Sequence, residues 1–217
     1  LKSIMGILAI AFVITMGWWG FGDQPGNTVA TVGDLAVTRD EFRRAYENMY
    51  RFYKEKVPGE FKDETIKQFV IEQLVDNRLW LMAAKDMGIT VSDGDLREMI
   101  VQVPEFQKNG AFDPELYQRL LAANHLTPKV FEEAQAKEIL GNKARMFVRD
   151  AVALTPSEIS EGQALMTRQP DADPTKATAA KDRVLEDMLF QKQQRALVAF
   201  QESLKGKIPV KVHRELL

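Results

Sequence analysis

Ile4 to Phe21 (IMGILAIAFVITMGWWGF) is a run of 18 uncharged residues, unlike anything later in the chain. As a helix rising about 1.5 Å per residue it spans roughly 27 Å, close to one bilayer hydrocarbon core. Trp18 and Trp19 stand at one end, where amphipathic rings favour the membrane interface, and Lys2 is the only charge before the run. Residues 1–22 therefore read as a transmembrane signal-anchor, with the N-terminus cytoplasmic and the remainder exported. Gly20-Phe21-Gly22 also has the small-x-small pattern of a signal-peptidase site, but the length of the run and its bulky Trp end favour an uncleaved anchor. Residues 23–28 (DQPGNT) form a polar linker.

From Val29 the pattern changes to amphipathic segments. Val29–Val32, Gly33-Asp34 and Leu35–Val37 read as a strand, turn and strand. Thr38-Arg39-Asp40-Glu41 is a capping box that starts a helix ending at Pro58-Gly59. A second helix is predicted over 64–86. It is apolar almost all round, which argues for central burial. Ser92 with Asp95, Asp113-Pro114, Thr127-Pro128 and Thr155-Pro156-Ser157-Glu158 are further helix starts, the fifth helix running to about Asp150. Residues 168–176 read as a loop, and a long helix follows to about Lys205, stopped by Gly206. Ile208–Val212 reads as an edge strand because of Pro209. The expected fold is mostly α, with a small β element built from the two terminal strands, over one body of residues 29–217. In it, 29–168 is closed by the helix and strand of 177–212. Pairing of those strands between chains leaves a domain-swapped homodimer open.

Composition narrows the chemistry. Lys+Arg 29 against Asp+Glu 31 gives a net charge of −2, which excludes a bulk basic footprint for nucleic acid. No cysteine is present, so thiolate metal sites and Cys nucleophiles are excluded. The two histidines, His125 and His213, lack metal-ligand spacing and read as loop or surface residues. No G-x-S-x-G, G-x-G-x-x-G or Walker pattern occurs, so no catalytic, cofactor or metal residues are assigned. Two apolar groups stand out instead. Met49, Tyr50, Phe52 and Tyr53 crowd one and a half turns of the first helix, and Met99, Val103 and Phe106 form a second group. Both read either as ordinary core or as surface for an extended apolar peptide, a role that suits adaptable Met.

Val29 to Phe42 (VATVGDLAVTRDEF) resembles the opening of SurA- and PpiD-type periplasmic chaperones, the SurA N-terminal domain family, although Gly33-Asp34 stands where the family usually has Asn-Gly. Pro104 to Leu140 is similar to the family's P-x-F-x-x-x-G-x-F-D-x-x-x-Y-x-x-x-L segment followed by L-T-P-x-x-F-E. Phe106, Gly110, Phe112, Asp113, Tyr117, Leu120, Leu126, Thr127, Pro128, Phe131 and Glu132 carry that match. The resemblance implies a helical chaperone module whose apolar grooves bind unfolded polypeptide clients. It also implies a bacterial inner-membrane protein, single-pass, with its body in the periplasm. Many relatives insert parvulin prolyl isomerase domains before the C-terminal helix. Only about 20 residues separate Glu158 from Thr178 here, so isomerase catalysis does not carry over. A scaffold subunit binding one folded partner is the competing expectation.

Overall fold

The computed structural model describes residues 27–56, 62–124, 126–167 and 174–217. The apolar run of Ile4–Phe21, residues 23–26 of the linker, the helix stop at Pro58-Gly59 and His125 lie outside the described residues, whereas Thr28, at the end of the expected linker, is already the first residue of a strand. Among the described residues no helix is long and apolar enough to cross a membrane.

Strands β1 (Thr28–Val32) and β2 (Leu35–Thr38) form an antiparallel hairpin around Gly33-Asp34. Gly33 takes φ +57, as a two-residue hairpin turn requires of its first central residue, and the Met82 methyl fills the space a Cβ would need. Helix α1 (Arg39–Lys56) follows, then α2 (Asp63–Asp86), α3 (Asp93–Val101), a 3-10 turn (Pro104–Phe106), a two-stranded hairpin of β3 (Gln107–Lys108) and β4 (Ala111–Phe112), α4 (Pro114–Ala123), α5 (Pro128–Asp150), α6 (Pro156–Thr167) and α7 (Pro174–Lys207). Strand β5 (Val210–Val212) returns to pair antiparallel with β1, giving a sheet of order β2-β1-β5. Both ends of the body thus close in one sheet within one chain. The fold is mostly helical with this small sheet, as the patterning predicts.

Short polar residues set most helix starts. Ser92 and Asp95 form a reciprocal capping box. Asp113 accepts from the amides of Glu115 and Leu116, and Thr127 accepts from that of Val130. At α1 only half of the expected box forms. The Thr38 hydroxyl accepts from the Glu41 amide at 3.2 Å, but the Glu41 carboxylate turns away to Arg78. The long helix also differs at both ends. It begins at Pro174, within the predicted loop, since proline is well placed in a first turn, and residues 168–173 of that loop lie outside the described residues. It passes through Gly206 to Lys207 and stops before Pro209, which disfavours helical geometry at Ile208.

Two apolar clusters result. The first joins Val29, Val32 and Val37 of the sheet to Phe42, to Ile66, Val70, Leu74, Leu79 and Trp80 of α2, to Ala144 of α5 and to Leu204 of α7. The Trp80 and Phe200 rings stack at 5.5 Å. Burial on almost every side of α2 matches its all-round apolarity. The second cluster holds Ile100, Phe106, Tyr117, Leu121, Leu126 and Phe131. Helix α5 serves both, and Lys143 ties α3 to it through Asp95 at 2.7 Å and the Thr90 carbonyl at 3.2 Å.

Helix α6 packs along α7, where Glu158 accepts from Lys192 at 2.6 Å and from the Thr155 amide at 2.7 Å. The Lys192 ammonium and the Thr155 donors pull the Glu158 carboxyl down from its ordinary 4.5 to about 2. A depressed folded pKa contributes stability that is complete above the unfolded value and is lost as pH falls through the folded one. The protection of α6 amides, taken relative to an unstructured chain at the same pH, is therefore expected to fall selectively between about pH 4.5 and pH 2. In Glu158→Gln that pH dependence should vanish. An unchanged profile in the variant would show that this contact does not hold α6 in place.

Candidate functional site

The two groups singled out by sequence lie on different clusters. On α1, Met49 and Tyr53 are half-buried against the first cluster, whereas Phe52 is 37% exposed and meets Tyr53 edge to face at 6.1 Å. Helical spacing stacks Phe42, Tyr46 and Tyr50 into a ladder, with centroid separations of 6.4 and 5.8 Å. The Tyr46 hydroxyl donates to Asp63 at the start of α2. That bond pushes the Tyr46 hydroxyl up to about 12 and holds the Asp63 carboxyl below its usual range. The exposed part of this surface comprises Tyr50 and Phe52, while Phe69 is a further exposed aromatic on α2.

In the second group, Met99 and Val103 are partly buried around the second cluster. Phe106 is 3% exposed, with its ring edge to face with Tyr117 at 4.9 Å and Phe131 at 5.6 Å. A side chain enclosed in this way has no surface to offer a ligand. It is core, and it shapes the position of Val103 and the β3–β4 hairpin. Tyr117 donates to Glu132 at 3.3 Å, and burial pushes its hydroxyl well above the ordinary value.

Sequence reasoning missed two features. An open depression of about 410 Å³ lies between the segment after α2 and the middle of α5, with Ile89, Val91, Ala136 and Leu140 as its apolar part and Glu133 and Lys137 on its rim. These positions are some 45 residues apart, and only the packing of α2 on α5 brings them together. The second is a buried ion pair. Arg78 Nη2 donates to both Glu41 oxygens, at 2.6 and 2.7 Å, and Nε donates to the Ala36 carbonyl at 3.2 Å. A cavity of about 30 Å³ beside it is also lined by Asn77, Lys137 and Arg145. Burial and the Arg78 charge lower the Lys137 pKa, and burial lowers that of Arg145, whose guanidinium lies 5.3 Å from the Trp80 ring centroid. His213 sits at the surface, 3.3 Å from the Glu215 carboxylate.

A hairpin-headed helical body closed by a C-terminal strand is thereby defined, with divided apolar surfaces. The chain belongs to the SurA-like N-terminal domain family, which matches residues 1–145. It is similar to the periplasmic chaperone PpiD of Escherichia coli strain K12, at 24% identity over 178 residues, covering 78% of this chain and 28% of that protein. The periplasmic chaperone PpiD of Haemophilus influenzae is 27% identical over 135 residues, covering 58% and 22%. That of Buchnera aphidicola is 32% identical over 136 residues, with the same coverage. The chain spans about a quarter of the length of these curated relatives.

Proposed function

We propose that this protein is a membrane-anchored periplasmic holding chaperone, which binds unfolded exported or outer-membrane proteins through apolar surfaces and needs no cofactor or catalysis. One observation carries the reading: relatives named periplasmic chaperone align with 78% of the chain. The exposed rings of Phe52 and Tyr50 and the apolar depression at Ile89 and Leu140 supply contact area without matched polar groups. Such surfaces bind broadly and weakly. The anchor proposed over residues 1–22, with 23–28 as linker, offsets weak affinity by raising the local concentration near emerging clients. Residues 29–217 then act as one client-binding module. Met49, Phe52, Tyr53, Met99 and Val103 are proposed contacts, with Phe106 supporting the second patch from below.

The test is light scattering from a denatured outer-membrane protein diluted into buffer with the chain at near-stoichiometric ratio. Aggregation should be suppressed without nucleotide. Phe52→Lys should weaken suppression several-fold while leaving unfolding unchanged, because the ring is already partly in water. No suppression by the folded chain at any ratio would favour the scaffold reading, in which the same surfaces bind one folded partner.

A further inference from the structure

The sheet has two edges, and they are treated differently. In β2, Ala36 lies opposite Thr31 and faces away from β1, and its carbonyl accepts from Arg78 Nε at 3.2 Å. That edge is stopped by a buried guanidinium. On the other side, Gly33 donates to the Pro209 carbonyl at 2.9 Å and His213 donates to the Val29 carbonyl at 2.8 Å. With Thr31 opposite Lys211, alternation assigns 209, 211 and 213 to pairing with β1. The N–H and C=O groups of Val210 and Val212 therefore point to the outer edge, which no strand covers among the described residues and where Val212 is 36% exposed.

A groove runs beside that edge. Val210 and Val212 line a cavity of about 170 Å³ with Ile71 and Val75 of α2. Through Gln68, Glu72 and Arg214, which line both, it adjoins a depression of about 580 Å³ that reaches Phe69 and Leu217. The α2 wall extends from Glu64 to Asp76. Twelve residues of helix rise about 18 Å, the length of about five residues of extended chain.

We propose that β5 is a strand-addition site, at which an extended client segment of about five residues pairs with Val210 and Val212 as a fourth strand. Alternate apolar side chains of the segment pack beside Val210 and Val212, the accessible part of the groove's apolar lining, and the intervening ones face solvent. The outward backbone groups at Val210 and Val212, repeating every two residues, favour an extended segment over a helix, whose interior N–H and C=O groups are already paired with one another. This deepens the chaperone reading and rests on it. It assigns the client chemistry as β-prone chain with alternating apolar residues, recognised chiefly through the backbone.

The test measures binding of a labelled, end-capped seven-residue peptide of alternating Val and Thr to the full chain. Two N-methylated versions are compared, each blocking the amides along one edge of the peptide strand. The unmodified peptide should bind, one N-methyl register should bind about tenfold more weakly or worse, and the other should bind like the parent. Val212→Pro, which removes an outward N–H and the Val212 side chain but leaves the 209, 211 and 213 pairing positions to β1, should weaken binding several-fold. The N-methyl comparison stands even if that variant fails to fold. Equal affinities for the two registers, with aggregation still suppressed, would overturn strand addition and leave the chaperone reading intact. Neither peptide binding nor suppression would overturn both. A wild-type dimer that Val212→Pro converts to monomer would give the edge to a second copy and also overturn the proposal.

Discussion

Arg78→Met is expected to lower unfolding stability by about 3–5 kcal/mol, the usual cost of leaving one partner of a buried ion pair alone. Arg78 is 2% exposed and Glu41 is 7% exposed. One guanidinium nitrogen bridges both carboxylate oxygens, and Nε satisfies Ala36 on the β2 edge. Removing the guanidinium leaves a buried carboxylate without its bidentate partner and a strand carbonyl without its donor. The double variant Glu41→Leu/Arg78→Met is expected to regain most of the loss, because two apolar groups of similar size need no compensation. It should not regain the Ala36 bond, worth about 1 kcal/mol. Urea unfolding of the wild type, both single variants and the double variant measures this. A loss below about 1 kcal/mol in Arg78→Met would show that the pair is solvated and holds nothing together.

The same pair shows where reading the chain reaches its limit. Glu41 stands three residues after Thr38, and local spacing assigns it to a capping box. Its real partner lies 37 residues away on α2, and a charge in the middle of an apolar helix gives no indication of whom it meets. The starts at Ser92, Asp113, Thr127 and Thr155 were legible because a cap is made within one turn of chain. The closing strand was legible because alternation at Val210–Val212 matches that at Val29–Val32. Asn109-Gly110, with φ of 55 and 81, drives the β3–β4 hairpin, a strong two-residue turn signal that lies within the family-like segment Pro104–Leu140. The candidate site was the least legible part. Phe106 looks like Met99 and Val103 in a one-dimensional pattern, and the difference arises only when Tyr117 and Phe131 close over it. Residues such as Ile89 and Leu140 carry no mark at all, since their groove exists only between two packed segments.

Phe131→Ala is expected to cost about 3–5 kcal/mol and to act on one part of the molecule. Phe131 is 1% exposed and meets Phe106 and Tyr117 at 5.6 and 5.8 Å, so its loss opens a cavity at the centre of the second cluster. That cluster comprises α3, the Pro104–Phe106 turn, α4 and the first turns of α5, and shares no buried residue with the first. The contacts joining them include the body of α5 and the Lys143–Asp95 bridge, whose donors hold the Asp95 carboxyl far below the usual carboxylate range. Local opening is therefore available at less than the global free energy. In amide exchange, α3 and α4 of Phe131→Ala should lose protection while α2 and β1 keep theirs. Trp80→Ala, at the stack with Phe200, should lower protection throughout. A uniform loss in Phe131→Ala would mean the two clusters unfold as one. If they separate, Met99 and Val103 lie on a part that opens without the sheet, and a client that traps the opened form would bind more tightly to Phe131→Ala than to the wild type.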